Sequence, residues 1–184
     1  MEKIAEIRAG AGDDVVDLTS QRYAWNGGNI ALRGGEGNDT LWGNAGGAKL
    51  FGDAGNDKIA GGSGDDLLAG GSGDDTLRGC GGSDTFAFCE NWGVDTVEQL
   101  AEGSVTLWFA SGDGSKWDAS TLTYTDGDNS VTVKGVDADK VTLKFGADAS
   151  EQYAELVSLG AFMEQTTAGI FDIDDPEKRV LASL

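Results

Sequence analysis

From Leu41 onward an apolar side chain returns at every ninth position: Leu41, Leu50, Ile59, Leu68, Leu77 and Phe86. Between these positions lie glycine and polar residues. The copies are Gly34–Trp42 (GGEGNDTLW), Gly43–Phe51 (GNAGGAKLF), Gly52–Ala60 (GDAGNDKIA), Gly61–Ala69 (GGSGDDLLA), Gly70–Arg78 (GGSGDDTLR) and Gly79–Ala87 (GCGGSDTFA). Glycine opens every copy and recurs at the fourth place, and aspartate fills the sixth place in every copy but one. The last three residues of a copy suffice for a very short strand, whose alternation sends the eighth-place residue to one face. A fixed short period of this kind predicts one structural unit stacked on its neighbours, with the apolar row inside.

The turns carry the chemistry. Glycine at the first, second and fourth places permits positive φ and close backbone approach, so six residues turn sharply with their carbonyls inward. The sixth-place aspartate adds a hard anionic oxygen. Carbonyl and carboxylate oxygens without a soft ligand select Ca²⁺ over transition metals.

The GGxGxDxUx pattern resembles the calcium-binding nonapeptide of RTX proteins, which bacteria export through type I secretion systems. The resemblance implies a right-handed parallel β-roll with two nonapeptides per coil. Calcium would then sit between the turns of copies n and n+2, on alternating sides. One side would use Asp39, Asp57 and Asp75. The other would use Asp66 and Asp84, with Ala48 where an aspartate belongs, so the site pairing the second and fourth copies should be weak or absent. Carbonyls at the first and third places would complete the ligand sets: Gly34 and Glu36, Gly52 and Ala54, Gly61 and Ser63, Gly70 and Ser72, Gly79 and Gly81.

The resemblance extends past the tandem block. Ala9–Asp17 (AGAGDDVVD) reads as an outlying copy with Asp14 at the sixth place and Val16 at the eighth. It begins 25 residues before Gly34, so Leu18–Arg33 must bulge, and Asn26–Arg33 reads as a decayed turn with a strand ending near Leu32. Gly93–Val97 resembles a closing variant displaced by two residues, which brings in Asp95 as a further ligand.

Charge agrees with this picture. Thirteen Lys and Arg stand against 32 Asp and Glu, a net charge of −19. Packed carboxylates repel, and glycine-rich turns lose much entropy on ordering, so the calcium-free repeats should be largely unfolded. Binding that exists only in the folded form becomes folding free energy. The acidity argues against nucleic acid and anionic membranes as partners. Histidine is absent, which removes Ser-His-Asp triads, Cys-His pairs and HExxH zinc sites. A carboxylate-pair hydrolase stays formally open, yet Asp13/Asp14, Asp65/Asp66 and Asp74/Asp75 are explained by turn position, and no enzyme activity is expected. Met1–Gly10 has no apolar core of a cleaved leader, and no segment is suited to span a membrane.

The pattern changes near residue 100. Four β-branched and aromatic runs follow: Val105–Phe109, Thr121–Thr125, Val131–Lys134 and Val141–Phe145. Asp126-Gly127-Asp128-Asn129 has hairpin-turn residues, so a small antiparallel sheet is expected to cap the roll, with Trp108, Trp117 and Tyr124 filling the junction. Those aromatics also admit a glycan-binding platform, the less favoured reading. Ser150–Phe162 reads as a helix with Ser150 as N-cap and a stripe of Tyr153, Leu156, Val157 and Phe162. The acidic tail to Leu184 resembles a type I secretion signal or else packs on the cap. Cys80 and Cys89 are expected as thiols, a disulfide being the alternative.

The chain thus reads as all-β, in four stretches: an N-terminal cap and outlying repeat (1–33), the calcium-binding roll (34–100), an antiparallel cap (101–149), and a helix with tail (150–184). The expected function is a secreted, extracellular module that folds on meeting calcium, with the type I secretion machinery as the partner implied by the resemblance. A self-assembling layer or filament protein, or a glycan-binding unit, is the alternative.

Overall fold

In the computed structural model, residues 6–19, 31–89, 91–146 and 170–172 are described. Two eight-stranded sheets face one another. The first contains β1 (Glu6–Ala11), β3 (Ala31–Glu36), β5 (Lys49–Ala54), β7 (Leu67–Ser72), β9 (Gly82–Phe88), β11 (Gly103–Phe109), β15 (Val141–Phe145) and β16 (Ile170–Asp172). The second contains β2 (Val15–Asp17), β4 (Thr40–Trp42), β6 (Lys58–Gly62), β8 (Thr76–Cys80), β10 (Val94–Glu98), β12 (Trp117–Asp118), β13 (Thr123–Asp126) and β14 (Asn129–Lys134). Through the repeats the chain alternates between sheets, and each strand lies parallel to the one a full coil away. This is an all-β parallel roll.

The nine-residue period becomes the core. The eighth-place residues stack in two rows, Leu41–Ile59–Leu77 in one sheet and Leu50–Leu68–Phe86 in the other. All six are at most 1% exposed. Leu32 and Leu107 extend the second row, and Val97 and Val133 the first. One such side chain per copy contributes about 1.5–3 kcal/mol. That offsets the backbone ordering of only a few residues, at about 1–2 kcal/mol each. A nine-residue unit with a single large apolar residue therefore needs help from its turns.

The outlying copy forms a complete coil: β1 pairs with β3 and β2 with β4, and the extra residues fall between Asp17 and Ala31. The strand placed near Leu32 is β3, which continues to Glu36.

The C-terminal region departs from expectation. Three of the four runs assigned to an antiparallel cap are parallel members of the roll: β11 beside β9, β15 beside β11, and β14 beside β10. Their β-branched and aromatic composition does not distinguish parallel from antiparallel partners. Among the described residues antiparallel pairing is confined to β12–β13–β14, with Gly127 at φ +65 in the two-residue turn between Asp126 and Asn129. Phe88, Trp92, Phe109, Tyr124 and Phe145 close the end of the core as an aromatic stack, with Phe109 and Tyr124 rings 4.0 Å apart. Trp117 packs against this core, as expected. Trp108 does not; it pairs with Ala87 on the outer face, where the Lys144 ammonium lies over its ring. The helix assigned to Ser150–Phe162 lies outside the described residues, as does the tail apart from β16, which pairs parallel to β1.

Candidate metal centre

The turns align their aspartates along the two edges of the roll. On the edge where the chain passes from the first sheet to the second, the backbone amide of each sixth-place aspartate donates to the carboxylate one coil later. Asp14 N donates to Asp39 Oδ1 at 2.8 Å, Asp39 N to Asp57 Oδ1 at 2.7 Å, Asp57 N to Asp75 Oδ1 at 2.8 Å, and Asp75 N to Asp95 Oδ1 at 2.8 Å. On the opposite edge Ala48 N donates to Asp66 Oδ1 at 2.7 Å and Asp66 N to Asp84 Oδ1 at 3.0 Å. The n to n+2 pairing read from the sequence is therefore the geometry of the fold. The outlying Asp14 and the displaced Asp95 extend the same row.

A second ladder, missed in the sequence, runs the other way along the rim. Fifth-place side chains of one coil accept from the amide of the next: Asn56 N donates to Asn38 Oδ1, Asp74 N to Asn56 Oδ1, and Ser83 N to Asp65 Oδ1. The signal was present, since this place holds Asn38, Asn56, Asp65 and Asp74, all short acceptors.

Local backbone chemistry explains why these residues turn here. The second place has positive φ in every copy but the one with Asn44: Gly35 and Gly71 lie at +113, while the non-glycine occupants Asp53 and Cys80 lie at +74. At the first place there is no room for a side chain. A Cβ on Gly34 would overlap Asp39 Oδ2 and approach the Gly52 carbonyl. One on Gly52 would meet Asp57 Oδ2 and the Gly70 carbonyl, and Gly61 and Gly70 face Asp66 Oδ2 and Asp75 Oδ2 in the same way.

With Oδ1 committed to the ladder, Oδ2 points into the turn. The Oδ2 atoms of Asp39, Asp57, Asp66, Asp75, Asp84 and Asp95 are buried and accept no hydrogen bond. These six residues are at most 3% exposed. Such a group costs about 1–3 kcal/mol even when neutral, and more when charged. Burial accordingly pushes the carboxyl of Asp57 to about 7, of Asp66 to about 7, of Asp75 to about 6 and of Asp95 to about 8, against opposition from the ladder amides. Asp39 and Asp84 are raised for the same reason.

The donor set fits a hard divalent cation. Among the described residues no three acidic, histidine or cysteine side chains converge on a point; every turn of the tandem block but that of Ala48 offers one buried sixth-place carboxylate, with backbone carbonyls beside it. The Gly52, Gly61 and Gly70 carbonyls face the first-place glycine one coil earlier. The third-place carbonyls of Glu36, Ala54 and Ser72 each accept one amide, from Gly12, Gly37 and Gly55, which leaves a second lone pair. The Ser63 hydroxyl is turned outward to Ala45 O, and Gly81 is held by its amide to Gly62 O. Cys80 and Cys89 remain thiols.

Comparison with known families places these turns. The family model of the RTX calcium-binding nonapeptide repeat, in four copies, matches residues 31–47 and 49–86. The array is RTX. No curated protein matches the chain. The RTX match covers the tandem block, while the Asp14 and Asp95 coils outside it continue the same ladder. The calcium binding of that family agrees with the carboxylate and carbonyl oxygens that line these turns. The structure also draws in Gln99, which the nine-residue pattern does not contain. It is 2% exposed, and its Oε1 accepts no hydrogen bond.

Proposed function

We propose that this chain is a calcium-triggered folding module of an extracellular protein exported by a type I system. The observation that carries this reading is the row of buried, unpartnered Oδ2 atoms. It is a defect in the calcium-free chain and a ligand set in its presence. Asp39, Asp57, Asp75 and Asp95 serve one edge and Asp66 and Asp84 the other, with the first- and third-place carbonyls beside them. Ala48 brings no carboxylate to its turn, so the site there is the weakest. Bound calcium neutralises the carboxylates and draws the carbonyls together. The protein's part is to place these oxygens and exclude water from them.

Extracellular modules bind calcium at roughly 10⁻⁴ to 10⁻³ M. Sites of that class stay empty at cytosolic calcium and fill outside, so the chain remains unfolded for export and folds on arrival. Each site filled to 100 times its Kd contributes about 2.7 kcal/mol to folding. Of the aromatics that admitted a sugar-binding platform, Tyr124 is 0% and Trp108 8% exposed and Trp117 packs against the core, which favours the folding role over glycan adhesion. Among the described residues no helix is long and apolar enough to cross a membrane.

The test is a calcium titration followed by circular dichroism with light scattering in parallel. A cooperative coil-to-β transition without scattering supports the folding module. Growing scattering moves the assignment to a self-assembling protein. A chain already β-rich in chelator overturns the calcium reading.

A further inference from the structure

The last turn on the Asp66–Asp84 edge differs from the others in one respect. Strand register sets Glu98 opposite Arg78 and Gly103 opposite Gly82, so Gln99 occupies the first place of its turn, as Gly79 does one coil earlier. In three earlier turns the oxygen facing a first-place glycine from the next coil is a backbone carbonyl: Gly52 O at Gly34, Gly70 O at Gly52, Gly61 O at Gly43. At Gly79 the facing oxygen is the side-chain Oε1 of Gln99, and Asp84 Oδ2 meets the same point from its own copy.

Neither oxygen accepts a hydrogen bond, and both residues are at least 97% buried. Two acceptors that meet at one point repel; the Gln99 amide offsets this only in part, since the Asp84 carboxyl stays raised by burial, and a cation between the oxygens reverses the sign. The amide orientation is set from its other end, where Nε2 donates to Gly82 O at 3.4 Å. Flipping the amide would set Oε1 against that carbonyl. The next coil cannot supply a carboxylate here, because the residue opposite Asp84 is Val105. Calcium accepts Gln carbonyl oxygens as readily as backbone ones.

We propose that Gln99 is a calcium ligand, its Oε1 standing in for the first-place carbonyl and completing with Asp84 a terminal site on this edge. The inference rests on the calcium reading above and extends it by one residue outside the nonapeptide pattern. The site joins the last RTX turn to the coil that carries the aromatic stack, so filling it fastens the array to its C-terminal end.

The test counts calcium ions per chain by native mass spectrometry, on the full chain, for the parent and for Gln99→Met and Gln99→Glu. Met matches Gln in length and removes the oxygen. Gln99→Met should carry one ion fewer than the parent at the same free calcium. Gln99→Glu keeps an oxygen and adds charge, so it should retain the full count and hold that ion at least about tenfold more tightly, the scale on which site substitutions act. An unchanged count in Gln99→Met while the parent binds calcium overturns this inference alone, and identifies Gln99 as a hydrogen-bonding cap of Asp84. A parent that binds no calcium overturns the calcium reading itself. If Gln99→Met fails to fold, Gln99→Glu decides: loss of an ion there overturns the proposal, and tighter binding supports it.

Discussion

Replacing Asp57 by Asn should change stability in opposite directions with and without calcium. Asn keeps Oδ1, which accepts from Asp39 N at 2.7 Å, so the ladder is preserved. Oδ2 becomes an amide that can donate to the Gly70 carbonyl, which faces the same glycine. In chelator the substitution removes a buried carboxylate with no partner, a gain of about 1–3 kcal/mol. In calcium at 100 times Kd it removes an anionic ligand, and losing that site's linkage costs about 2.7 kcal/mol. Urea unfolding of parent and variant in chelator and in calcium measures both. The midpoint should rise in the first buffer and fall in the second. A shift of the same sign in both would refute the claim that Oδ2 is a defect repaired by the ion.

Further expectations can be checked alongside. Asp57→Ala should weaken calcium-dependent folding by several-fold more than Asp13→Ala, since Asp13 only holds the exposed Asn38 amide; equal calcium midpoints in dichroism titrations would contradict the assigned phase. Gly52→Ala should abolish calcium-induced folding, because its Cβ would overlap Asp57 Oδ2, whereas Gly127→Ala, with open space around it, should cost about 1 kcal/mol. Acid should favour the calcium-free fold. The folded carboxyls of Asp57, Asp66, Asp75 and Asp95 lie at about 6 to 8 against an ordinary 3.8, so their contribution is complete below 3.8 and is lost as pH rises through 6 to 8. β-structure in chelator should therefore increase from pH 8 to pH 5, and calcium affinity, through proton competition, should fall. Magnesium should fail to induce the fold, because it demands near-octahedral geometry and dehydrates reluctantly, and a full dichroism change in Mg²⁺ alone would argue against a carbonyl cage.

Periodicity made the roll legible because both of its determinants recur at fixed places. Leu50 fills the core row and Asp57 the edge row by position alone, and the offset of 18 residues between partners follows from two copies per coil. Legibility ended where the period did. Val105–Phe109 carries the β-branched and aromatic residues of any half-buried strand, and nothing in it specifies a parallel neighbour; that was set by register with β9. Trp108 went astray for a related reason, since strand alternation fixes its face only once Leu107 is known to point inward. Gln99 was invisible because its role depends on where a side-chain oxygen stands in space. Its residue type does not belong to the repeated pattern.

The two edges also constrain how such an array can change in length. Partners in the aspartate rows are 18 residues apart within the block, 20 between Asp75 and Asp95, and 25 between Asp14 and Asp39. Extra residues are thus tolerated when they remain between ladder positions, but the order of edges is not negotiable. Deleting a single nonapeptide would carry every downstream aspartate to the opposite edge and bring Asp66 into the row of Asp39. Deleting two would leave every row continuous. The natural quantum of gain or loss for this protein is therefore the full coil, and arrays derived from it should differ by even numbers of repeats.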